Sequence, residues 1–270
     1  MWDTSSGVFA VDGATSDGEG DRVIHNASGE SGDDSANLKK TKLKPHLKKQ
    51  WCIPAQYNGE FVARMEDVLE VYSMPYDEEI PMICMDEKPF QLLDEKLQPI
   101  SMKPGSPRKE DYEYIRNGVC SIFIFTEPLA GWRHVHASAR RTKKDWALQI
   151  QELLEVHYSK VKRVRLIMDN LNTHAISSLY ETFEPETALR LARRLEIHFT
   201  PKHGSWLNIA EIELNALAKQ CLHRRIPDLL NLQAQLLPWE QHRNSASKSV
   251  DWQFSTLDAR NKLKWLYPKL

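Results

Sequence analysis

No stretch of 18 or more apolar residues interrupts this 270-residue chain, so no transmembrane helix is expected. No basic segment followed by an apolar run opens it, and a secretory signal is therefore not expected either. Cysteine is scarce: four residues, at 52, 84, 120 and 221, with no CxxC pair among them. That spacing argues against a disulfide framework and against structural zinc, and it fits a reducing compartment. Cys84 and Cys120 lie in apolar runs and read as buried thiols. A glycine-rich phosphate loop is also missing, which argues against nucleotide hydrolysis. Net charge is nearly absent, at −1.

The average hides a segregation. Residues 1–34 carry eight acidic side chains and one basic one, Arg22, which leaves the remainder net +6. Such a surplus permits a basic surface for phosphates. Residues 1–37 are rich in Gly, Ser and Asp and poor in large apolar side chains, and they read as a disordered acidic tail. Residues 38–57 form a basic linker. Its run LKKTKLKPHLKKQ holds Lys39, Lys40, Lys42, Lys44, Lys48 and Lys49, a set able to release counterions from a DNA backbone, or simply to stay solvated.

From residue 58 onward the pattern becomes that of a folded domain, 58–270. Phe61, Met65, Leu69 and Val71 recur at helical intervals. A strand is predicted from Ile80 to Glu87, with Ile83 and Met85 on one face and Cys84 and Asp86 on the other. Residues 94–112, with three prolines, read as an irregular connection. Val119–Thr126 and Trp132–Ala137 flank a turn and predict an antiparallel hairpin. A helix capped by Thr142 covers 142–158, with Trp146, Ile150, Leu153, Leu154 and His157 as its stripe. Val161–Met168 is a second strand. Helical segments at 176–194 are reset by Pro185, and a short strand follows at Leu195–Phe199. Helices are predicted again at 209–222, 228–242 and 256–265. The order predicts an α/β domain with a mixed sheet.

Three acids stand where acids are conspicuous. Asp86 lies inside the apolar strand CMDEKPF, Asp169 ends the strand LIMDN, and Glu211 opens a helix after HGSWLNIAE. A carboxylate within an apolar strand is costly unless it is paired or binds a metal. Strand ends and a facing helix start can converge on one point, and hard divalent cations favour such oxygen ligands. Taken singly, each acid has an ordinary explanation: a salt bridge for Asp86, an Asx-turn for Asp169, the helix dipole for Glu211. Glu213 points to another helix face, and Glu87 should face away from Asp86.

Four ordered stretches carry a resemblance: CMDEKPFQL at 84–92, LIMDNLNTH at 166–174, FTPKHGSWLNIAEIEL at 199–214 and DWQFSTLDARNKLKWLYP at 251–268. Over residues 38–268 the chain resembles the bacterial insertion-sequence transposases of the mariner superfamily. The resemblance implies a ribonuclease H-like mixed sheet flanked by helices. It implies an Asp-Asp-Glu triad of Asp86, Asp169 and Glu211 that holds two Mg²⁺ ions, with Mn²⁺ as a substitute, and acts on double-stranded DNA. Asn170 and His174 match the family's DNxxxH pattern and would orient Asp169 or contact a phosphate. His203 would touch DNA or pack in its loop. A homodimer would suit the pairing of two DNA ends. A cytoplasmic, nucleoid-associated location and no membrane partner follow from the same resemblance.

Two departures qualify it. The gap from Asp169 to Glu211 is 42 positions, longer than in the mariner branch, and the helical stretch 176–194 accounts for the extra length. A helix-turn-helix domain normally leads such proteins, and residues 1–36 show no helical periodicity, so an N-terminally truncated chain is expected. An idle remnant that binds DNA or transposase subunits, and a ribonuclease H-like nuclease, stay open as alternatives. His134 and His136, two apart on a strand, share one face; partly exposed hairpin histidines are expected in preference to a zinc pair. Arg140, Arg141, Lys143 and Lys144, and separately Lys202, Lys219, Arg224 and Arg225, form basic clusters that suit either phosphates or solvent. Trp206 and Trp252 are expected in the core.

Overall fold

A long strand that changes partners midway organises the fold. In the computed structural model, which describes residues 53, 54 and 56–268, β1 runs Met82–Glu95. Its first residues, Met82 to Cys84, pair in parallel with β4 (Val164–Met168). From Cys84 to Glu95 it pairs antiparallel with β2 (Tyr114–Glu127), with a register shift between Gln91 and Leu93. Past Cys84 one edge of β1 therefore has no strand beside it among the described residues. Pro89, which lacks an N–H, is tolerated there. Both hairpin strands are longer than the apolar runs predict, because the mixed segments 88–95 and 114–118 continue the ladder beyond the core.

β3 (Trp132–Ser138) pairs antiparallel with β2, and β5 (Leu195–Phe199) parallel with β4. The five-stranded order is β3-β2-β1-β4-β5, a ribonuclease H-like mixed sheet. Helices flank it: α1 (Gly59–Tyr72), α2 (Lys143–Glu152), α3 (Ile176–Tyr180), α4 (Pro185–Ala192), α5 (Ala210–Gln220), α6 (Leu229–Ser245) and α7 (Thr256–Lys262). Local chemistry explains several boundaries. Asn58 caps α1, Thr142 and Asp145 form a capping box on α2, and Pro185 opens α4. The helix predicted over 142–158 does not stay α-helical. Leu153–His157 is a π-helical turn closed by Tyr158 N–H donating to Leu153 O at 2.9 Å.

Every element named above lies within Pro54–Leu270. The acidic tail and most of the basic linker, including Lys39, Lys40, Lys42, Lys44, Lys48 and Lys49, lie outside the described residues. No helix of the described residues is long and apolar enough to cross a membrane.

Strand alternation sorts the sheet into two faces. Ile83, Met85, Phe123, Phe125, Leu166 and Met168 meet Trp146, Ile150, Leu153 and Leu154 of α2 and its π turn, with Leu179 and Leu191 from α3 and α4. Each such side chain contributes roughly 1.5–3 kcal/mol on burial. The other face carries Cys84 and Ile167 and is covered by α1 and α5. Cys84 meets the Tyr72 hydroxyl there, and burial pushes its thiol up to about 12, which makes it inert.

A buried ion network closes the sheet edge. Glu213 of α5 accepts from Arg133 of β3 at 2.8 Å and from Arg243 of α6 at 2.8 Å. The Arg133 and Glu213 side chains are each 1% exposed. Arg133 also donates to the carbonyls of Gly131 and Lys248. Gly131 has φ +68°, and a Cβ there would stand 2.7 Å from the Ser247 backbone, so only glycine fits beneath this clamp. Removing one partner of a buried pair leaves the other charge uncompensated. Glu213→Gln should therefore lower stability by about 3–5 kcal/mol, read as a shift in the urea midpoint at unchanged slope. An unshifted midpoint would show that the network is dispensable.

Candidate active site

The parallel ladder between β1 and β4 aligns the two aspartates. Its last pair is Cys84 with Ile167. Asp86 and Asp169 each lie two residues further on, so both return to the face of Cys84 and Ile167. Neighbouring strands stand about 4.8 Å apart. Glu211 comes to the same place from the other side, in the first turn of α5.

Their electrostatics register this proximity. Burial pushes the Asp86 carboxyl up to about 7, against the hydrogen bond that its Oδ1 accepts from Glu87 N–H at 2.8 Å. The charges of Asp169, Glu211 and Glu87 raise it further. A half-buried carboxylate in the middle of a sheet, on which the charges of three others act, is a strong attractor for cations.

Asp169 is held from behind. Its Oδ1 lies 2.6 Å from Nδ1 of His174, whose side chain is fully buried. The imidazole stacks near Trp146, with centroids 6.0 Å apart. Its Nε2 faces Glu87 Oε2 at 3.6 Å. Burial opposes charge on His174, yet the Asp169 and Glu87 carboxylates outweigh it and raise its pKa to about 9. Glu87 is buried as well and completes the chain by accepting from Arg141 at 3.1 Å. As alternation predicts, Glu87 faces away from Asp86. It nevertheless reaches Asp169 indirectly, through His174.

Glu211 depends on a tied-down loop. Asn208 is buried; its Nδ2 donates to Met85 O at 2.9 Å, and its Oδ1 accepts from Ala210 N–H at 3.1 Å. One side chain thus pins the start of α5 to the residue beside Asp86. Tyr72 of α1 donates to Leu207 O at 2.7 Å and secures the same loop. Upstream, Gly204 N–H closes a turn on Pro201 O at 2.8 Å, where a Cβ would come within 2.5 Å of the Pro201 ring. His203 takes a positive φ of 65° and stays exposed. Glu213, the other acid on this helix, is committed to Arg133 and Arg243.

The remaining predicted residues divide clearly. Asn170 is exposed and lines a pocket of about 690 Å³ with Asn172, His174 and Arg193. Of the basic clusters, Arg141 pairs with Glu87, Lys143 with Glu181, and Arg225 with Glu95 and the carbonyls of Asp111 and Glu113. Arg225 is therefore a structural staple on the β1–β2 hairpin. Trp206 and Trp252 stack at 6.5 Å in a half-buried aromatic group with Phe254 and Tyr72. Sequence reasoning missed Asn208, although an Asn three residues before a helix-opening acid is a capping signal. It also missed the roles of Glu87 and Arg141, for which no local pattern exists.

The donor set fits hard divalent cations. It is all oxygen and acidic, the charges of Asp169 and Glu211 add to the effect of burial in raising the Asp86 carboxyl, and a bound cation would relieve that repulsion. Two ions about 3.5–4 Å apart, each roughly 2.1 Å from its ligands, need carboxylates spread over as much as about 8 Å. Asp86 and Asp169 come from neighbouring strands and Glu211 from the first turn of a helix.

The solved structures that the chain resembles include the Mos1 mariner paired-end complex with Mn, at 14% identity and TM-score 0.49, covering 91% of this chain and 80% of that one. The Mos1 strand transfer complex matches at 12% identity and TM-score 0.49, covering 91% and 79%. The catalytic domain of Mos1 mariner transposase matches at 11% identity and TM-score 0.45, covering 73% and 96%. No curated protein matches. Residues 81–233 match the family described as DDE superfamily endonucleases, a span that contains Asp86, Asp169 and Glu211 and covers more than half of the chain, and the chain belongs to that family.

Proposed function

We propose that this chain carries the catalytic domain of a DNA transposase, in which Asp86, Asp169 and Glu211 hold two Mg²⁺ ions. The observation that carries the reading is the half-buried Asp86 carboxyl, raised to about 7 by burial and by the charges of Asp169, Glu211 and Glu87. Like charges packed this way are stable mainly as ligands of a cation. Bound there, two divalent ions would activate an attacking oxygen and steady the leaving oxygen of an in-line displacement at phosphorus.

The chain's own residues fix the geometry. His174, positively charged and buried, holds the Asp169 carboxylate in one rotamer. Glu87 and Arg141 keep His174 oriented. Asn208 sets the position of Glu211 relative to Asp86. The pocket beside Asp169, with Asn170, Asn172 and Arg193 on its wall, offers donors to a DNA backbone. His203, exposed on the loop before α5, is placed for the same partner. The reaction is read as two successive displacements. Hydrolysis of a phosphodiester at an element's end frees a 3′-hydroxyl, which then attacks target DNA. No covalent enzyme intermediate is required. The lysines of residues 38–50 would add sequence-independent grip on phosphates, and two copies would suit two DNA ends.

Purified full-length chain should nick or cut a DNA duplex in Mg²⁺ or Mn²⁺, and Asp169→Ala should reduce this to the level without enzyme. Equal cleavage by both proteins would remove Asp169 from the proposal. Asn208→Ala tests positioning. It leaves the Met85 carbonyl unpaired, which costs about 1–3 kcal/mol of stability. It should also lower kcat roughly tenfold or more with little change in KM for DNA. A rise in KM alone would mean that Asn208 serves DNA binding and not the placement of Glu211.

A further inference from the structure

A second cluster of potential metal ligands lies outside the three-carboxylate site. His134 of β3, Glu152 at the end of α2 and His157 in the π turn each offer an atom, and the three atoms all lie within 4.8 Å of one another. The π turn creates this group. On an α-helix, residues five apart stand about 140° apart around the axis. The i→i+5 hydrogen bond from Tyr158 N–H to Leu153 O widens the turn and brings Glu152 and His157 onto one side.

The ring nitrogens are unusually idle. Nδ1 and Nε2 of His134 and Nε2 of His157 are buried and have no hydrogen-bond partner. Buried polar atoms are normally satisfied, so three orphans in one cluster call for an occupant. The two imidazoles sit with centroids 4.4 Å apart, and Trp132 packs against both. His134 Nε2 faces Glu152 Oε1 at 3.7 Å, while its Nδ1 faces Glu240 Oε2 at 3.3 Å. Glu240 is itself fixed, accepting from Val135 N–H at 2.7 Å. A carboxylate behind a ligating histidine is a recurrent feature of metal sites. A protonated His134 shared between Glu152 and Glu240 is the competing account. It leaves His157 Nε2 with no partner.

We propose that His134, Glu152 and His157 form a transition-metal site suited to Zn²⁺, with a fourth position open to water, that clamps β3 to the end of α2. Two imidazoles and one carboxylate form a zinc donor set, whereas Mg²⁺ prefers oxygen alone. Ligand atoms of a tetrahedral zinc stand roughly 3.3 Å apart, so closing the cluster by at most about 1.5 Å through side-chain rotation completes it. This site is independent of the three carboxylates and would hold a different ion.

Co²⁺ added to metal-stripped full-length protein is the probe. One equivalent should give the intense visible absorption of a four-coordinate site, displaced by Zn²⁺. The band should persist in Asp169→Asn and vanish in His157→Ala and in Glu152→Gln. Zn²⁺ should raise the Tm of wild type and leave that of Glu152→Gln unchanged. Should His157→Ala fail to fold, Glu152→Gln, which preserves shape, decides alone. Absence of the band in wild type, its survival in Glu152→Gln, or its loss in Asp169→Asn with retention in Glu152→Gln would overturn the site.

Discussion

The register of one short parallel ladder governs this domain. Three residue pairs, Met82 with Arg165, Ile83 with Leu166 and Cys84 with Ile167, join the antiparallel hairpin to the parallel half of the sheet. A slip of one residue would turn every side chain of β1 to the opposite face. Ile83 and Met85 would leave the core shared with Trp146 and Ile150, and Asp86 would enter it. The apolar face thus enforces the alignment, and the alignment sets Asp86 level with Asp169. The cost of misplacing core residues is what makes the acidic pair precise.

Gathering carboxylates is unfavourable, and the surrounding contacts offset that at each member in a different way. Asp86 keeps a raised pKa and a backbone donor. Asp169 gains a charged imidazole, itself stabilised by Glu87, which in turn meets Arg141. Glu211 stands at a helix start, where the macrodipole favours negative charge. The neighbouring Glu213 shows the opposite solution on the same helix. It is buried completely, with Arg133 and Arg243 holding its pKa low against the effect of burial. Two acids two residues apart therefore take different tasks, one left open and one locked into the scaffold.

The histidines of β3 illustrate how a small helical irregularity changes the chemistry available. His134 and His136 alternate onto one face of β3, as the pattern predicts, yet His134 is largely enclosed and its partners come from elsewhere. The i→i+5 turn after Glu152 brings in His157, and α6 brings in Glu240. Neither partner is visible from the strand alone, because a π turn leaves no clear mark in periodicity.

Much of the fold was legible locally. Strand alternation around Asp86, the helix caps at Asn58, Thr142 and Asp228, Pro185 at the start of α4 and the limits of β5 follow from short-range sterics and hydrogen bonding. The three acids were conspicuous for the same reason, since charge in an apolar strand or at a helix start is a local anomaly. Other features were settled only by packing. The extension of β1 to Glu95 depended on β2 lying beside it, not on its own polar residues. The commitment of Glu213 to Arg133, the stapling role of Arg225, and the reach of Glu87 to His174 join residues about 80, 130 and 87 positions apart. By itself the sequence determined which residues could be strand, cap or ligand. Tertiary structure decided which charges met, because pairing across such distances is set by where the sheet register and helix packing leave each side chain.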